Sequence, residues 1–299
     1  MKSLMMKKSL FYLVMVLMTA GLLSCGGTKK QEKASGEFDS AASSVQNQVK
    51  KVIYQVPPPS QIPYIIQATG ADFNRSMVNS LDKEKKYLAS NKTAALNLGV
   101  YATDIGYLVS YEQVQDALNY MKGCLDISDN LGLKSALDMA IVDRFRSNLN
   151  EKDSLANIIN QAIANSDSYL RETDRDNMAA LVVAGTFIEG LYIATQIVDT
   201  YPKNILPDDS RNLILTPMIR LIVDQQKPLE DLINLLKSID VKGDWIDALI
   251  NSLVELDNNY KELNIQDQIK NNRADLVLSD KTLAKITVQV NKIRTTVTY

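Results

Sequence analysis

The sequence contains no histidine among its 299 residues, which excludes a histidine-containing catalytic triad, a histidine-ligated metal and a histidine general acid. It has two cysteines, too few for a disulfide framework. Its 33 basic and 35 acidic side chains leave no basic surplus of the kind that a nucleic-acid-binding protein needs. We therefore expect no metal, no cofactor and no nucleic-acid partner. Any catalysis would depend on carboxylates, lysine, tyrosine, serine or one thiol.

The N-terminus has the pattern of a secretory signal peptide. Lys2, Lys7 and Lys8 precede an uncharged, mostly apolar run from residue 9 to residue 23. This run is shorter than the roughly 20 apolar residues that span a bilayer comfortably, and a basic start followed by such a run is typical of a signal peptide. The sequence thus predicts that residues 1–24 form a signal peptide.

The apolar run ends in Leu22-Leu23-Ser24-Cys25, which resembles a bacterial lipobox. The resemblance implies cleavage before Cys25 and acylation of its sulfur and of the new amino group. Two or three acyl chains would hold the protein on a membrane almost irreversibly. An uncleaved membrane anchor with an incidental cysteine is the alternative.

The residues after Cys25 bear on the compartment. Residue 26 is Gly rather than the Asp that resembles an inner-membrane retention signal in many lipoproteins. The segment Gly26-Gly27-Thr28-Lys29-Lys30 also lacks the acidic run that resembles a surface-export signal in Bacteroidetes lipoproteins. We therefore predict lipid anchoring in the outer membrane, on its periplasmic face, with an envelope protein as partner.

Composition divides the rest of the chain into a linker and one body. Residues 26–44 are mainly Gly, Ser, Lys, Glu and Gln, so residues 25–56 are predicted to be the lipidated cysteine and a flexible linker. Pro57-Pro58-Pro59 favours an extended spacer, with a partner-docking strip as the alternative. Residues 57–299 are predicted to form a single α-helical domain.

From Ser60 onward the apolar residues recur with a helical period, which predicts an all-α array of helices. A strand over 282–298, which is rich in Thr and Val, is the alternative for the tail. Pro217 is expected to kink or split one helix. The predicted helices are 60–69, 72–89, 92–109, 111–131, 134–149, 152–171, 174–201, 209–226, 228–239, 244–262 and 279–297.

Part of the chain matches itself at a constant offset of 85 residues, as from Asp104 to Glu189. The match predicts two related helical units, near 72–131 and 152–226, although Ala-Ala-Leu is common enough for coincidence. The spacing around Leu98-Gly99 weakly resembles a tetratricopeptide repeat, but the 34-residue period of that family is not kept. The matching pieces are Ala94-Ala95-Leu96, Asp104 and Tyr107-Leu108 against Ala179-Ala180-Leu181, Glu189 and Tyr192-Ile193.

A broader resemblance covers residues 54 to about 200. The segment from Leu96 to Asp104, together with Glu189-Gly190-Leu191-Tyr192, is similar to all-helical lipoproteins of Bacteroidetes. That group has no assigned activity, so the resemblance implies compartment and lineage only.

Two acidic residues occur within predicted helices that are otherwise mostly apolar. Asp104 and Glu189, with Tyr107 and Tyr192, are the candidate buried polar or pocket residues. A buried carboxylate needs a partner, and Arg75, Arg144 and Arg146 are the candidates. The pair would either fix how the helices pack or act as the acid and base of a hydrolase.

Small residues and one thiol complete the set of candidates. Gly99, Gly106, Gly185 and Gly190 lie inside two of the predicted helices and indicate either close helix contact or an apolar pocket rimmed by aromatic side chains. Tyr101, Tyr107, Phe187 and Tyr192 are those aromatic residues. Cys124, the thiol left after lipidation, is expected to be buried.

These observations favour a non-catalytic, membrane-anchored envelope lipoprotein whose helical body binds or organises another component. The alternatives are a lipoprotein that binds a small apolar or saccharide ligand between its two central helices, and a carboxylate-based hydrolase using Asp104 and Glu189.

Overall fold

The computed structural model describes residues 66, 69–149, 151–204, 206–241, 243–264 and 283–299. Across these residues the elements are helices and turns, with no β-strand, which confirms the all-α prediction. The predicted signal peptide, Cys25, the linker 25–56, Pro57–Pro59 and most of the first predicted helix lie outside the described residues.

Ten α-helices follow two short 3-10 turns, Arg75–Met77 and Leu81–Lys83, in the described part of the chain. The tail is helical, so the alternative of a strand over 282–298 is wrong. The helices are α1 Glu84–Tyr87, α2 Asn91–Ser110, α3 Val114–Asn130, α4 Met139–Ser147, α5 Lys152–Glu172, α6 Asp176–Thr200, α7 Asp208–Val223, α8 Gln226–Ser238, α9 Asp244–Glu262 and α10 Ala284–Val297.

The predicted helix over 72–89 is wrong for most of its length, because residues 71–83 form a loop with the two 3-10 turns. The side chains of Asn74 and Ser80 accept hydrogen bonds from the amides of Ser76 and Asp82. Such local bonds compete with a continuous helix. The loop is then held by tyrosine hydroxyls: Tyr111 donates to Ala71 O, Tyr101 to Ser80 O and Tyr120 to Asn79 O.

Pro217 does not split its helix, because α7 runs through it to Val223. Proline leaves the carbonyl four residues earlier, here that of Leu213, without an intrahelical donor. Leu213 is 75% exposed, so water can reach that carbonyl. An exposed position makes the proline tolerable.

Helices α2 and α6 form the centre of the fold. Helix α2 contacts α1, α3, α5, α6 and α10, whereas α6 contacts α2, α5, α7, α8 and α10. Helix α6 is also the one described helix that is long and apolar enough to cross a membrane. Most of its length is buried inside the protein, as in the core helix of a soluble domain.

The two central helices meet backbone to backbone. A Cβ atom added to Gly99 would lie 2.1 Å from Val182 O, and one added to Gly185 would lie 1.9 Å from Leu96 O. The threonine hydroxyls bridge the same contact, since Thr103 Oγ1 donates to Thr186 O at 3.5 Å. The close helix contact expected of the glycines is therefore confirmed at Gly99 and Gly185.

The contacts between α2 and α6 fall at offsets close to that of the sequence match. Leu96 meets Gly185, and Thr103 approaches Thr186 and Gly190. Later residues of α2 thus face later residues of α6, so the helices run parallel and nearly in register. The origin of the match in two related units stays a prediction.

Candidate functional site: a buried Asp–Glu–Arg cluster

The parallel register brings the two candidate acids together at the centre of the protein. Asp104 on α2 and Glu189 on α6 are both 0% exposed, and their carboxyl groups lie within hydrogen-bonding range of each other. Two facing helices that match at an offset of 85 residues place matching side chains opposite each other. The self-match of the sequence therefore carried real information about this pair.

The partner of Glu189 is Arg294, from the C-terminal helix α10. Arg294 Nε donates to Glu189 Oε2 at 3.1 Å, and Arg294 Nη2 donates to Glu189 Oε1 at 3.0 Å. The guanidinium also lies 4.3 Å from the centre of the Tyr192 ring. This two-pronged bond and the ring beneath it fix both the position and the orientation of Arg294.

The three arginines proposed from the sequence as partners are wrong. Arg75 pairs with Asp116 on α3, Arg144 donates to Gln161, and Arg146 pairs with Asp143. The sequence did hold one signal for the true partner. Arg294 follows the buried Val290 by four residues, so it lies on the apolar face of α10.

Arg294 stays charged at this position. Burial lowers its pKa, but the charge and the hydrogen bonds of Glu189 raise it, and the net result is a pKa above the ordinary value. The guanidinium therefore places a positive charge beside the two carboxyl groups, and Lys83 is close enough to lower the pKa of Glu189 as well.

The surroundings of Asp104 favour its protonated form. Its Oδ2 accepts a hydrogen bond from the amide of Asn79 at 3.1 Å, while its Oδ1 has no donor among the described residues. Burial and the negative charge of Glu189 raise the pKa of Asp104 well above its usual value. Burial also raises the pKa of Glu189, but Arg294 and the proton on Asp104 oppose that shift. These directions favour a protonated Asp104 that donates a hydrogen bond to Glu189.

A network of tyrosine and amide groups holds the cluster from the loop side. Asn79 Nδ2 donates to Tyr87 Oη at 2.9 Å, and Tyr87 Oη donates to Thr298 O at 3.0 Å. Lys83 Nζ donates to the same carbonyl at 2.9 Å. Burial raises the pKa of Tyr87 to about 12, so its hydroxyl remains a donor. The end of α10 is thereby joined to the 71–83 loop.

The two candidate tyrosines have separate roles. Tyr107 lies away from the acids, where its hydroxyl accepts from Asn74 N at 2.9 Å and donates to Asn74 O at 3.3 Å. Tyr192 is the ring beneath Arg294. Neither tyrosine, and neither acid, lines the two apolar cavities described below. The expected pocket rimmed by Tyr101, Tyr107, Phe187 and Tyr192 is not at these cavities.

The cluster joins four parts of the fold: α2 through Asp104, α6 through Glu189, α10 through Arg294, and the 71–83 loop through Asn79. Both acids are closed to solvent, and the one charge pair is satisfied internally. The described residues also contain no group of three or more His, Cys, Asp or Glu side chains that could hold a metal ion. The arrangement can cross-link helices, but neither carboxyl group is exposed for contact with a substrate.

Comparison with known proteins gave no match to a family model, a curated protein or a solved structure.

We expect Asp104→Asn to be tolerated, with a benefit that grows as the pH rises. Because the folded pKa of Asp104 lies above its unfolded value, its contribution to stability is complete below the unfolded pKa and is lost as the pH rises through the folded one. The amide of Asn keeps the donor to Glu189 and the acceptor for Asn79, but cannot lose a proton.

The measurement is urea unfolding of the parent and of Asp104→Asn from mildly acidic to alkaline pH. The matched control is Asp104→Leu, which leaves the Asn79 amide without an acceptor and should be less stable than Asp104→Asn by about 1–3 kcal/mol at every pH. A parallel pH profile for the parent and Asp104→Asn would show that Asp104 is ionised in the folded protein.

Proposed function

We propose that the protein is a lipid-anchored envelope protein whose helical body binds or organises another envelope component without catalysis. The lipobox-like sequence at Cys25 supports the anchor. Gly26 in place of Asp supports the outer membrane, and the lack of an acidic run over residues 26–30 supports its periplasmic face. The absence of histidine narrows the catalytic options to carboxylates, lysine, tyrosine, serine or a thiol. An envelope protein is the proposed partner.

One observation supports binding over catalysis. The acid pair that sequence reasoning offered to a hydrolase is fully buried, and its charge is already neutralised by Arg294. A general acid or base must reach the substrate proton directly or through one water molecule. A buried and internally paired carboxylate is suited to holding helices together instead.

Replacement of Cys25 by alanine tests the anchor. Lipidation requires the Cys25 sulfur, so Cys25→Ala should lose incorporation of a fatty-acid probe and accumulate as the precursor. Cys124→Ala is the matched control, since it removes the other cysteine and should label as the parent does. Undiminished labelling of Cys25→Ala would refute the anchor.

The second candidate function, binding of a small ligand, is favoured by one feature of the structure. An apolar cavity lies beside the contact of α2 and α6, with Leu98 and Val182 in its lining. Saccharides need several hydrogen-bonding groups in their site. The apolar lining of this cavity therefore supports an apolar ligand rather than a saccharide.

A further inference from the structure

The apolar cavity lies among helices α2 to α6. Its volume is about 50 Å³. The lining is contributed by α2, α3, α4, α5, α6 and the turn before α4, and it includes Leu98, Met121, Cys124, Ile141, Ile159 and Val182. A second, smaller cavity of about 20 Å³ lies beside Gly190 and Met218.

The chemistry of the lining excludes water as a favourable occupant. Cys124 and Ser166 are the only lining residues with a polar side-chain group, and Ser166 already donates its hydroxyl proton to Ala162 O at 2.8 Å. Burial raises the pKa of the Cys124 thiol, so that group stays neutral. A buried water needs two to four polar partners, and this lining does not provide them.

Four lining side chains on α2, α3 and α5 are only half-buried and mark the open side of the cavity. Ala102 on α2 and Ala162 on α5 are half-buried, as are Leu125 and Ile163, whereas most of the other lining residues are buried. A ligand can therefore enter between α2, α3 and α5 with one end buried and the rest outside.

The size of the cavity selects the shape of the ligand. An engineered cavity of about 150 Å³ accommodates benzene, three times the volume available here. A ring is therefore too large, whereas an unbranched chain is narrow enough to enter by its end. We propose that this cavity binds the terminal segment of an unbranched, uncharged alkyl chain, such as that of a lipid.

This inference rests on the second candidate function and is independent of the Cys25 anchor. Either result can therefore stand if the other fails. Cys124 provides an internal reporter, because it lines the cavity and is 7% exposed. A ligand in the cavity slows alkylation of Cys124 in two ways. It covers the sulfur, and it stabilises the closed protein against the local unfolding that exposes this side chain.

The experiment compares 1-hexanol with cyclohexanol, which carry the same number of carbons and the same hydroxyl group, on the full chain. Alkylation of Cys124 by iodoacetamide is followed by mass spectrometry of the peptide that contains it. At a 1-hexanol concentration about four times its Kd, alkylation should be about fivefold slower. Cyclohexanol at the same concentration should have little effect.

Two variants locate the effect. Ala162→Leu extends a side chain into the opening, so it should slow alkylation without any alcohol and abolish further protection by 1-hexanol. Ala140→Leu adds the same atoms at an exposed position of α4 and should behave as the parent does. Equal protection by both alcohols, no protection by 1-hexanol, or full protection in a folded Ala162→Leu variant would each overturn the proposal.

Discussion

Replacement of Arg294 by glutamine is expected to lower the free energy of unfolding by about 3–5 kcal/mol at neutral pH, the usual cost of breaking a buried ion pair by removing one partner. The variant leaves Glu189 buried beside a second carboxyl group with no positive charge in hydrogen-bond contact. The loss should shrink on acidification, because a protonated Glu189 no longer needs a counter-charge. Urea unfolding at neutral and mildly acidic pH measures both effects.

Two further variants provide reference values for the cost of Arg294→Gln. Arg75→Gln removes the Arg75–Asp116 pair, in which the arginine side chain is 65% exposed, and should cost no more than about 1 kcal/mol. Glu189→Gln should cost less than Arg294→Gln, about 1–3 kcal/mol, because Asp104 can then release its proton and supply a negative charge near Arg294. Equal costs for Arg75→Gln and Arg294→Gln would contradict the buried cluster.

Gly185→Ala is the second change with a large expected effect, a loss of about 3 kcal/mol through overpacking. The new Cβ would lie 1.9 Å from the carbonyl oxygen of Leu96. No side-chain rotation can relieve a clash with backbone, so α2 and α6 must separate. Alanine is a better helix former than glycine by about 1 kcal/mol, and the clash must outweigh that gain.

Gly190→Ala is the matched control on the same helix. Its added Cβ would meet its nearest neighbour, Thr103 Cγ2, at 4.0 Å, and it would lie beside the smaller cavity. This variant should be as stable as the parent or more stable by up to about 1 kcal/mol. If both glycine variants unfold at the same urea concentration, the backbone contact at Gly185 would be refuted.

The stability of variants in the cluster also tests whether the two acids serve the structure or catalysis. Carboxylates kept for chemistry commonly reduce stability, so their neutralisation raises it. Asp104→Asn is expected to be stabilising at high pH under the structural interpretation as well, so that variant does not separate the two. The loss of stability expected for Arg294→Gln and Glu189→Gln does separate the structural from the catalytic interpretation. It is expected only if the charges of this pair stabilise the fold.

The sequence by itself determined the fold class and singled out the two acids. A helical apolar period is a local property that survives in any packing, so it predicts helices without knowledge of their neighbours. Glycines inside helices are unfavourable unless something approaches closely, which pointed to Gly99 and Gly185. Matching acids at a constant offset singled out Asp104 and Glu189 as equivalent positions, and the parallel packing of α2 and α6 then placed them opposite each other.

The tertiary structure alone decided which groups satisfy those acids and which helices are interrupted. Arg294 and Glu189 are 105 residues apart, and only the docking of α10 selects Arg294 over other arginines. The 71–83 loop has helical composition, but hydroxyls of tyrosines on other parts of the chain bond its carbonyls. Pro217 is tolerated because its side of α7 faces solvent. Ion-pair partners, loop carbonyl bonds and exposure all depend on which surfaces meet, and a local sequence pattern does not encode that.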